Sequence, residues 1–307
     1  MLIIKNNPIG IMKSITSIGE ILFDVYPAGK KLGGAPFNFI YHIKNLSGDG
    51  SFISRIGKDE MGKEIVDFFD KHEIATAFLQ IDDTLLTGAA VPTLNEKRIP
   101  EWIIEENRAY DAIEINDGII SLVDKSDCLY FGTLAQRDIR SRSSIQALFD
   151  RKIKYFCDLN IRQNYFSKEI VESSLKVANV LKLNVDELQL VNSLIYDNKI
   201  KSAEIAEATL NDYNLEMLCV THGENGAIIY RGGETNSYNY PVKNVVDTVG
   251  AGDAYSAILC LGYLHGWDIE RINILACEFA SEIVKINGAL PNDLSFYQKY
   301  REVIFNE

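Results

Sequence analysis

The sequence predicts an α/β protein in which helices flank a mostly parallel central sheet and a small second β-sheet stands off the main body. Two patterns carry this prediction. Short apolar strands alternate with helical periodicity along most of the chain, as in parallel sheets with helical crossovers, and two adjacent strand patterns around residue 95 indicate a hairpin. The 307 residues, 47% hydrophobic and 24% charged, can bury a large core.

The first third of the chain begins as βαβ units. Strand patterns occur at residues 15–25, 52–56 and 77–81, and helical periodicity occurs at 37–44 and 61–69. The first two strands are therefore each followed by a helix that can act as the crossover to a parallel neighbouring strand.

The small sheet, which we call the lid, is predicted from segments of about 23–34 and 88–106. Within the second segment, residues 89–93 and 98–104 resemble strands joined by Leu94-Asn95-Glu96-Lys97. Trp102 on this hairpin is predicted either to cover a ligand or to pack the hairpin against the body.

From Cys128 onward the pattern favours a parallel sheet with helices on both faces. Three helices follow at the end of the chain. The predicted strands are 129–132, 155–159, 180–184 and 217–221; the helices are 143–149, 167–178, 186–195, 202–213, 251–265, 269–286 and 294–305.

The domain prediction is a single unit over residues 12–307, because the chain shows no repeat, low-complexity tract or long linker. Residues 1–11 are poorly patterned and are interpreted as an N-terminal extension. Met12 is expected to be the natural start.

Charge and cysteine usage narrow the partners and the compartment. Lys and Arg number 31 against 43 Asp and Glu, a net charge of −12 without a basic block, so nucleic acid and anionic membrane are not expected partners. The five cysteines form no C-x-x-C pair and lie mostly in apolar runs, which indicates reduced core residues. Without an export signal or an apolar run of about 18 residues, the prediction is a cytoplasmic protein.

The segment with the clearest chemistry is Asp247-Thr248-Val249-Gly250-Ala251-Gly252-Asp253, which directly precedes an apolar helix. The backbone N–H groups of Gly250, Ala251 and Gly252 can converge on an anion at the helix start. Asp253 can then accept the proton of an attacking hydroxyl while the anion hole stabilises a transferring phosphoryl group. The alternative for an isolated acid at this position is a helix cap.

Two other nucleotide-binding patterns are incomplete. Residues 250–255 match only G-x-G-x-x-Y, and they lie late in the chain. Residues 57–63 fit G-x-x-x-x-G-K, but Glu64 occupies the Ser/Thr position. A dinucleotide fold and a P-loop are therefore not expected.

The chain resembles the PfkB, or ribokinase-like, carbohydrate kinases, and among them the fructokinases. The resemblance rests on the string ending at Asp253, on Gly33-Gly34-Ala35-Pro36-Phe37-Asn38, and on Gly19-Glu20 with Asp24. It implies a ribokinase-like three-layer fold and ATP-dependent phosphorylation of a free sugar hydroxyl, with D-fructose giving fructose 6-phosphate as the leading reaction.

The expected sugar-binding residues are Asp24, Gly33, Gly34, Asn38 and Arg162. Asp24 can accept from sugar hydroxyls, the glycines allow close backbone approach, and Asn38 offers an amide donor and acceptor. Arg162 can meet phosphate or sugar oxygens. The structural alternatives are a turn or helix-cap role for Asp24 and Asn38 and a structural ion pair for Arg162.

The expected nucleotide-binding residues are implied by further resemblances. Asn184 and Glu187 match the family's N-x-x-E motif and can hold Mg²⁺ through water, while Lys182 can face the phosphates. Thr221, Gly223 and Gly226 resemble a nucleotide-contacting turn. Asn287, followed by Gly288-Ala289, implies a wall near the adenine and a loop for a monovalent cation such as K⁺.

Several alternatives stay open. Ribose, 2-keto-3-deoxygluconate, a nucleoside or a sugar phosphate could replace fructose, because Thr133 and Gln136 depart from the fructokinase pattern. A sugar phosphate would call for extra cations, for which Lys30, Lys31, Arg98 and Arg137 are available. A non-catalytic sugar sensor on the same scaffold would be expected to lack Asp253 or the glycines beside it. The exposed edges of the lid suggest a homodimer.

Overall fold

The computed structural model describes residues 12–26, 29–94 and 100–305, with the backbone only at 94 and 100–102. The predicted extension 1–11, the hairpin turn, Arg98 and the Trp102 side chain lie outside the described residues.

The described strands form a large sheet and a small one. The large sheet has nine strands in the order β13-β12-β11-β10-β9-β8-β1-β4-β5, and the small sheet has the order β3-β2-β6-β7. In chain order the strands are β1 Ile15–Ile18, β2 Leu22–Tyr26, β3 Gly29–Gly33, β4 Gly50–Gly57, β5 Leu79–Asp82, β6 Gly88–Leu94, β7 Pro100–Ile104, β8 Cys128–Phe131, β9 Lys154–Asp158, β10 Val180–Asn184, β11 Met217–Thr221, β12 Ala227–Arg231 and β13 Glu234–Tyr238.

The large sheet is parallel from β5 to β11. Strands β12 and β13 then extend it as an antiparallel hairpin, which the sequence prediction did not include. Gly232 and Gly233 form its turn, with φ of 55° and 86°, a left-handed conformation that a two-residue turn of this kind requires.

Helices cover both faces of the large sheet. Residues on β8 show the alternation that produces two cores: Cys128 and Tyr130 face one hydrophobic cluster, and Leu129 and Phe131 face the other. The first cluster contains α1 Ala35–Ser47, α2 Glu60–Lys71, α8 Ala251–Leu264, α9 Ile269–Ile283 and α10 Gln298–Phe305; the second contains α3 Asp117–Asp124, α4 Ile139–Gln146, α5 Lys168–Val177, α6 Val185–Tyr196 and α7 Ile205–Asp212.

This arrangement confirms the predicted three layers. Further details differ from the prediction. The strand predicted at 15–25 is divided into β1 and β2, which lie in different sheets, and the helix predicted at 143–149 is α4 at Ile139–Gln146. The last helix begins with a 3₁₀ turn at Leu294–Tyr297 before α10, and α3 and the 3₁₀ turn Ala109–Ala112 were not expected.

The small sheet is the predicted lid, made of β2, β3, β6 and β7. Its central pair, β2 and β6, is parallel, and the outer pairs are antiparallel. The end of β7 is held to the body because Arg137 donates to the carbonyl of Glu105 and pairs through two 2.8 Å contacts with Asp111. Tyr165 also donates to the carbonyl of Ile104 at 2.8 Å. These contacts hold the end of β7 against the body.

Candidate active site

The start of α8 brings the predicted catalytic residues to the carboxyl ends of the parallel strands. Gly250 precedes the helix with φ of 79°, and a Cβ there would lie 2.3 Å from Cβ of Ala289. Only glycine satisfies both the left-handed backbone and this contact. The start of the helix borders both cavities described below, since Gly250 and Gly252 line one and Ala251 and Gly252 line the other; its first N–H groups have no intrahelical partner.

Asp253 is held by Asn38 from α1. Nδ2 of Asn38 donates to Oδ2 of Asp253 at 2.8 Å. Asn38 is 3% exposed, and its Oδ1 is buried without a partner among the described residues. One amide atom therefore orients the carboxylate, and the other remains able to accept a hydrogen bond.

The environment of Asp253 tunes its acidity. Burial raises the pKa of Asp253 to about 6, and the nearby Asp158 carboxylate adds to the rise. The Asn38 hydrogen bond and the charges of Lys182 and Arg162 lower the pKa and limit the shift. The carboxyl group is therefore mostly ionised at neutral pH and close to the range in which general bases work well.

A buried ion pair lies beside the first turn of α8. Nζ of Lys182 contacts the carboxylate of Asp158 at 2.8 and 3.1 Å, and the hydroxyls of Ser256 and Tyr130 donate to the same carboxylate at 2.8 and 3.1 Å. A Cβ on Gly252 would lie 3.2 Å from Nζ of Lys182. Lys182 thus lies beside the start of α8 with its ammonium group bound to Asp158, and its expected approach to the phosphates stays a prediction.

A cavity of about 440 Å³, which we call the lid cavity, lies between the lid and the start of α8. Its lining includes Asp24, Gly34, Asn38, Arg162 and Asp253. Of the predicted sugar-binding residues only Gly33 is outside this lining; it adjoins Asp24, whose Oδ2 would be 3.5 Å from a Cβ on Gly33. Burial raises the pKa of Asp24, which the charge of Arg162 partly offsets.

A second cavity of about 530 Å³, the loop cavity, adjoins the first. The turn residues Gly223 and Gly226 line it, together with apolar side chains of the 239–251 segment and α9. Thr221, Thr248 and Gly252 line both cavities. The two spaces therefore meet next to Asp253.

Asn184 and Glu187 line the lid cavity and also form a capping box at the start of α6. The two oxygens of Glu187 accept the backbone N–H groups of Ile161 at 2.7 Å and Asn184 at 2.8 Å, while Oδ1 of Asn184 accepts from N of Glu187 at 2.9 Å. Carboxylate and amide oxygens suit Mg²⁺ held through water. Among the described residues no group of three or more His, Cys, Asp or Glu forms a direct metal cage.

Asn287 lines neither cavity and instead joins a bridge between the lid and the body. Nζ of Lys31, on β3, contacts Oδ2 of Asp247 at 3.0 Å and donates to Oδ1 of Asn287. The backbone N–H of Gly288 donates to the same Asp247 oxygen at 3.0 Å. Lys31 therefore links the lid to the two loops of the body that contain Asp247 and Asn287.

Removal of this bridge gives a first prediction. Lys31→Met is expected to raise the KM for the sugar several-fold, because the lid loses its ion pair with the Asp247 loop. Stability should change by less than about 1 kcal/mol, since the pair is partly exposed. Steady-state kinetics and urea unfolding measure the two effects. Lys58→Met, which removes an exposed pair with Asp83 in the body, is the matched control, and equal sugar KM values in both variants would contradict the prediction.

The acidity of Asp253 gives a second prediction. At saturating substrate, kcat should fall as the pH drops through about 6, because Asp253, as the predicted general base, accepts a proton only when it is ionised. Asn38→Ala should move this acid limb to higher pH, since it removes the donor that stabilises the carboxylate. A pH–rate profile tests both statements, and an acid limb that stays in place in Asn38→Ala would contradict the second.

Sequence reasoning did not assign roles to three polar residues at this site. Glu20 lines the lid cavity and is 2% exposed, and Asp158 and Ser256 form the network beside the first turn of α8. One sequence pattern could have pointed to Glu20 and Asp158, because each is an ionisable residue at or just after the end of an apolar strand.

Comparisons with known proteins agree with this geometry. The model of the pfkB family carbohydrate kinases matches residues 12–293. PH1459 of Pyrococcus horikoshii, described as an uncharacterized sugar kinase, is 26% identical over 94% of this chain and 97% of its own, and its crystal structure aligns with a TM-score of 0.78 over 95% of this chain and 100% of that chain.

An ATP-dependent 6-phosphofructokinase of Thermoanaerobacterium thermosaccharolyticum is 24% identical over 90% of this chain and 89% of that protein. A Vibrio cholerae fructokinase with bound fructose, ADP and potassium has a TM-score of 0.75 and 21% identity, covering 94% of this chain and 98% of its own. The fold is therefore ribokinase-like. The chain belongs to the PfkB family of carbohydrate kinases, which implies ATP as the phosphoryl donor.

No helix among the described residues has the length and apolar character needed to cross a membrane.

Proposed function

We propose that this carbohydrate kinase transfers the γ-phosphate of ATP to a free hexose, with D-fructose as the leading substrate and its 6-hydroxyl as the acceptor. The observation that carries the proposal is the junction of the lid and loop cavities at Thr221, Thr248 and Gly252, next to Asp253. A sugar and a nucleotide in these cavities would meet at a carboxylate and a helix start.

In the proposed reaction, Asp253 accepts the proton of the sugar hydroxyl as its oxygen attacks the γ-phosphorus. The bond to the β–γ bridging oxygen breaks, and ADP leaves. Backbone N–H groups of Gly250, Ala251 and Gly252 would stabilise the transferring group, and Asn38 would keep the carboxylate oriented. Mg²⁺, when bound, would neutralise charge on the phosphates; Asn184 and Glu187 could hold it through water.

Charge favours a neutral sugar over a sugar phosphate. Glu20, Asp24 and Asp253 line the lid cavity, whereas its cations are Arg162 and Lys182, and Lys182 is paired with Asp158. The other cations considered for a phosphate group are engaged where they are described: Lys30 with Glu64, Lys31 with Asp247, and Arg137 with Asp111.

A substrate panel tests the proposal. Initial rates of ADP release with Mg·ATP would be compared for fructose, ribose, 2-keto-3-deoxygluconate, a nucleoside and fructose 6-phosphate. Fructose is expected to give the highest kcat/KM. Preference for ribose or the nucleoside would replace the substrate. Preference for fructose 6-phosphate or for the anionic 2-keto-3-deoxygluconate would contradict the charge argument, and no turnover with any compound would favour the sugar-sensing alternative.

We also propose that residues 12–307 form one kinase domain that pairs with a second copy through the lid. Strands β3 and β7 are the edges of the lid sheet, and exposed edges can pair with another chain. Light scattering at micromolar concentration is expected to give the mass of a dimer, and a monomer mass would contradict the pairing.

A further inference from the structure

Glu20 is a buried carboxyl group that the reaction described above does not use. It follows β1 in the chain, lines the lid cavity and is 2% exposed. Its Oε2 is buried and has no hydrogen-bond partner among the described residues. A buried polar atom without a partner costs free energy, so its retention calls for an explanation.

The backbone around Glu20 is tightly fixed. The N–H of Gly19 donates to the carbonyl of Ile53 at 3.2 Å, and the hydroxyl of Ser54 donates to the carbonyl of Gly19 at 2.7 Å. On the other side, a Cβ on Gly34 would lie 2.5 Å from the carbonyl oxygen of Glu20. The side chain therefore starts from a rigid position between the central sheet and the glycine turn before α1.

The buried atoms without partners at the lid cavity are both hydrogen-bond acceptors. Within the described part of the chain, the buried side-chain atoms without partners on residues that line the lid cavity are Oε2 of Glu20 and Oδ1 of Asn38. Both are hydrogen-bond acceptors when Glu20 is ionised. A ligand that presents several hydroxyl donors would satisfy them, and a polyol is such a ligand.

We propose that Glu20 is a sugar-contacting residue, whose carboxyl group accepts a hydrogen bond from a hydroxyl of the sugar in the lid cavity. The inference rests on the proposed function, and it adds a specificity determinant to the base Asp253 and the expected contact Asp24. Glu20 would bind and orient the sugar without taking part in proton transfer.

The raised pKa of the Glu20 carboxyl group is consistent with a hydrogen-bond donor that only the bound sugar supplies. Burial raises the pKa of Glu20 to about 7, and the Asp253 carboxylate adds to the rise, while its own backbone N–H and Arg162 lower it. A hydroxyl that donates to the ionised form would bring the pKa down again.

The test compares Glu20→Met and Glu20→Gln with wild type. Glu20→Met fills a similar volume without a strong acceptor, and it is expected to raise the KM for the sugar about ten- to a hundredfold, because hydrogen bonds to charged groups are among the stronger ones. The amide of Glu20→Gln keeps a neutral acceptor and should give an intermediate value. The KM for ATP should not change. Glu204→Met, at an exposed ion pair with Lys201 outside the cavity lining and away from the lid, should leave both constants as in wild type.

Single-deoxy analogues of the sugar separate contact from structure. For the analogue that lacks the contacted hydroxyl, wild type should lose the same factor in kcat/KM, and Glu20→Met should cause little further loss. If Glu20→Met reduces kcat/KM by the same factor for every analogue, the residue is structural and the proposal is wrong.

A sugar-bound crystal structure of the wild type decides the matter even if the variants fail to fold. A Glu20 oxygen within about 3.2 Å of a sugar oxygen would support the proposal, and a separation without contact would overturn it. These results are distinct from failure of the proposed function, in which wild type itself would phosphorylate none of the sugars.

Discussion

Asp253→Asn is expected to lower kcat by about 10²- to 10⁴-fold while the affinity for ATP stays close to that of wild type. The substitution preserves the shape of the side chain and an oxygen that can accept from Nδ2 of Asn38, the donor now 2.8 Å away. What it removes is the ability to take a proton from the sugar hydroxyl.

Single-turnover kinetics and nucleotide binding measure the two effects separately. The matched control is Asp186→Asn, because Asp186 is an exposed carboxylate beside the Asn184–Glu187 capping box. It should retain normal turnover. Near-normal turnover in Asp253→Asn would remove Asp253 from the role of general base.

Lys182→Met is expected to lower the free energy of unfolding by about 3–5 kcal/mol, since it leaves the Asp158 carboxylate buried without its cation. The Lys182 and Asp158 side chains are 9% and 2% exposed, so water from the adjoining lid cavity can replace the lost cation only in part. The hydroxyls of Ser256 and Tyr130 would remain as donors, but neither carries charge.

Urea unfolding of a double-mutant cycle tests this prediction. Adding Asp158→Asn to Lys182→Met should restore part of the lost stability, because the unpaired charge is then gone. Lys176→Met, which removes an exposed pair with Glu172 on α5, should change stability by no more than about 0.5 kcal/mol. A loss below about 1 kcal/mol in Lys182→Met would contradict the role given to the buried pair.

Local patterns were sufficient for most of the fold. The bounds predicted for β10 and β11 match the structure, because each is a mostly apolar five-residue segment that ends at a polar residue, interrupted in β10 only by Lys182. The hairpin β12–β13 was missed because its outer strand is largely exposed and polar, so only the Gly232-Gly233 turn signalled it.

The site could be predicted only in part. The string around Asp253 indicated an anion hole and an acid from local sequence alone. The Asn38 contact joins residues 215 positions apart, and the place of Glu20 depends on packing between β1, β4 and the turn before α1. Such contacts follow from tertiary structure, which one sequence without structural information does not provide.

The sequence could not decide between two roles for Glu187. Its spacing from Asn184 fits both a metal-associated motif and a capping box, and the hydrogen bonds of the structure form the capping box. The metal role therefore stays a prediction.

The most direct test of the central claim is product analysis by ³¹P NMR after incubation of the wild type with Mg·ATP and D-fructose. The account predicts one fructose 6-phosphate for each ADP released, and little ADP release without sugar because the lid cavity excludes an activated water. ADP release that does not depend on any sugar, or that leaves no phosphorylated sugar, would contradict transfer from the loop cavity to the lid cavity through Asp253.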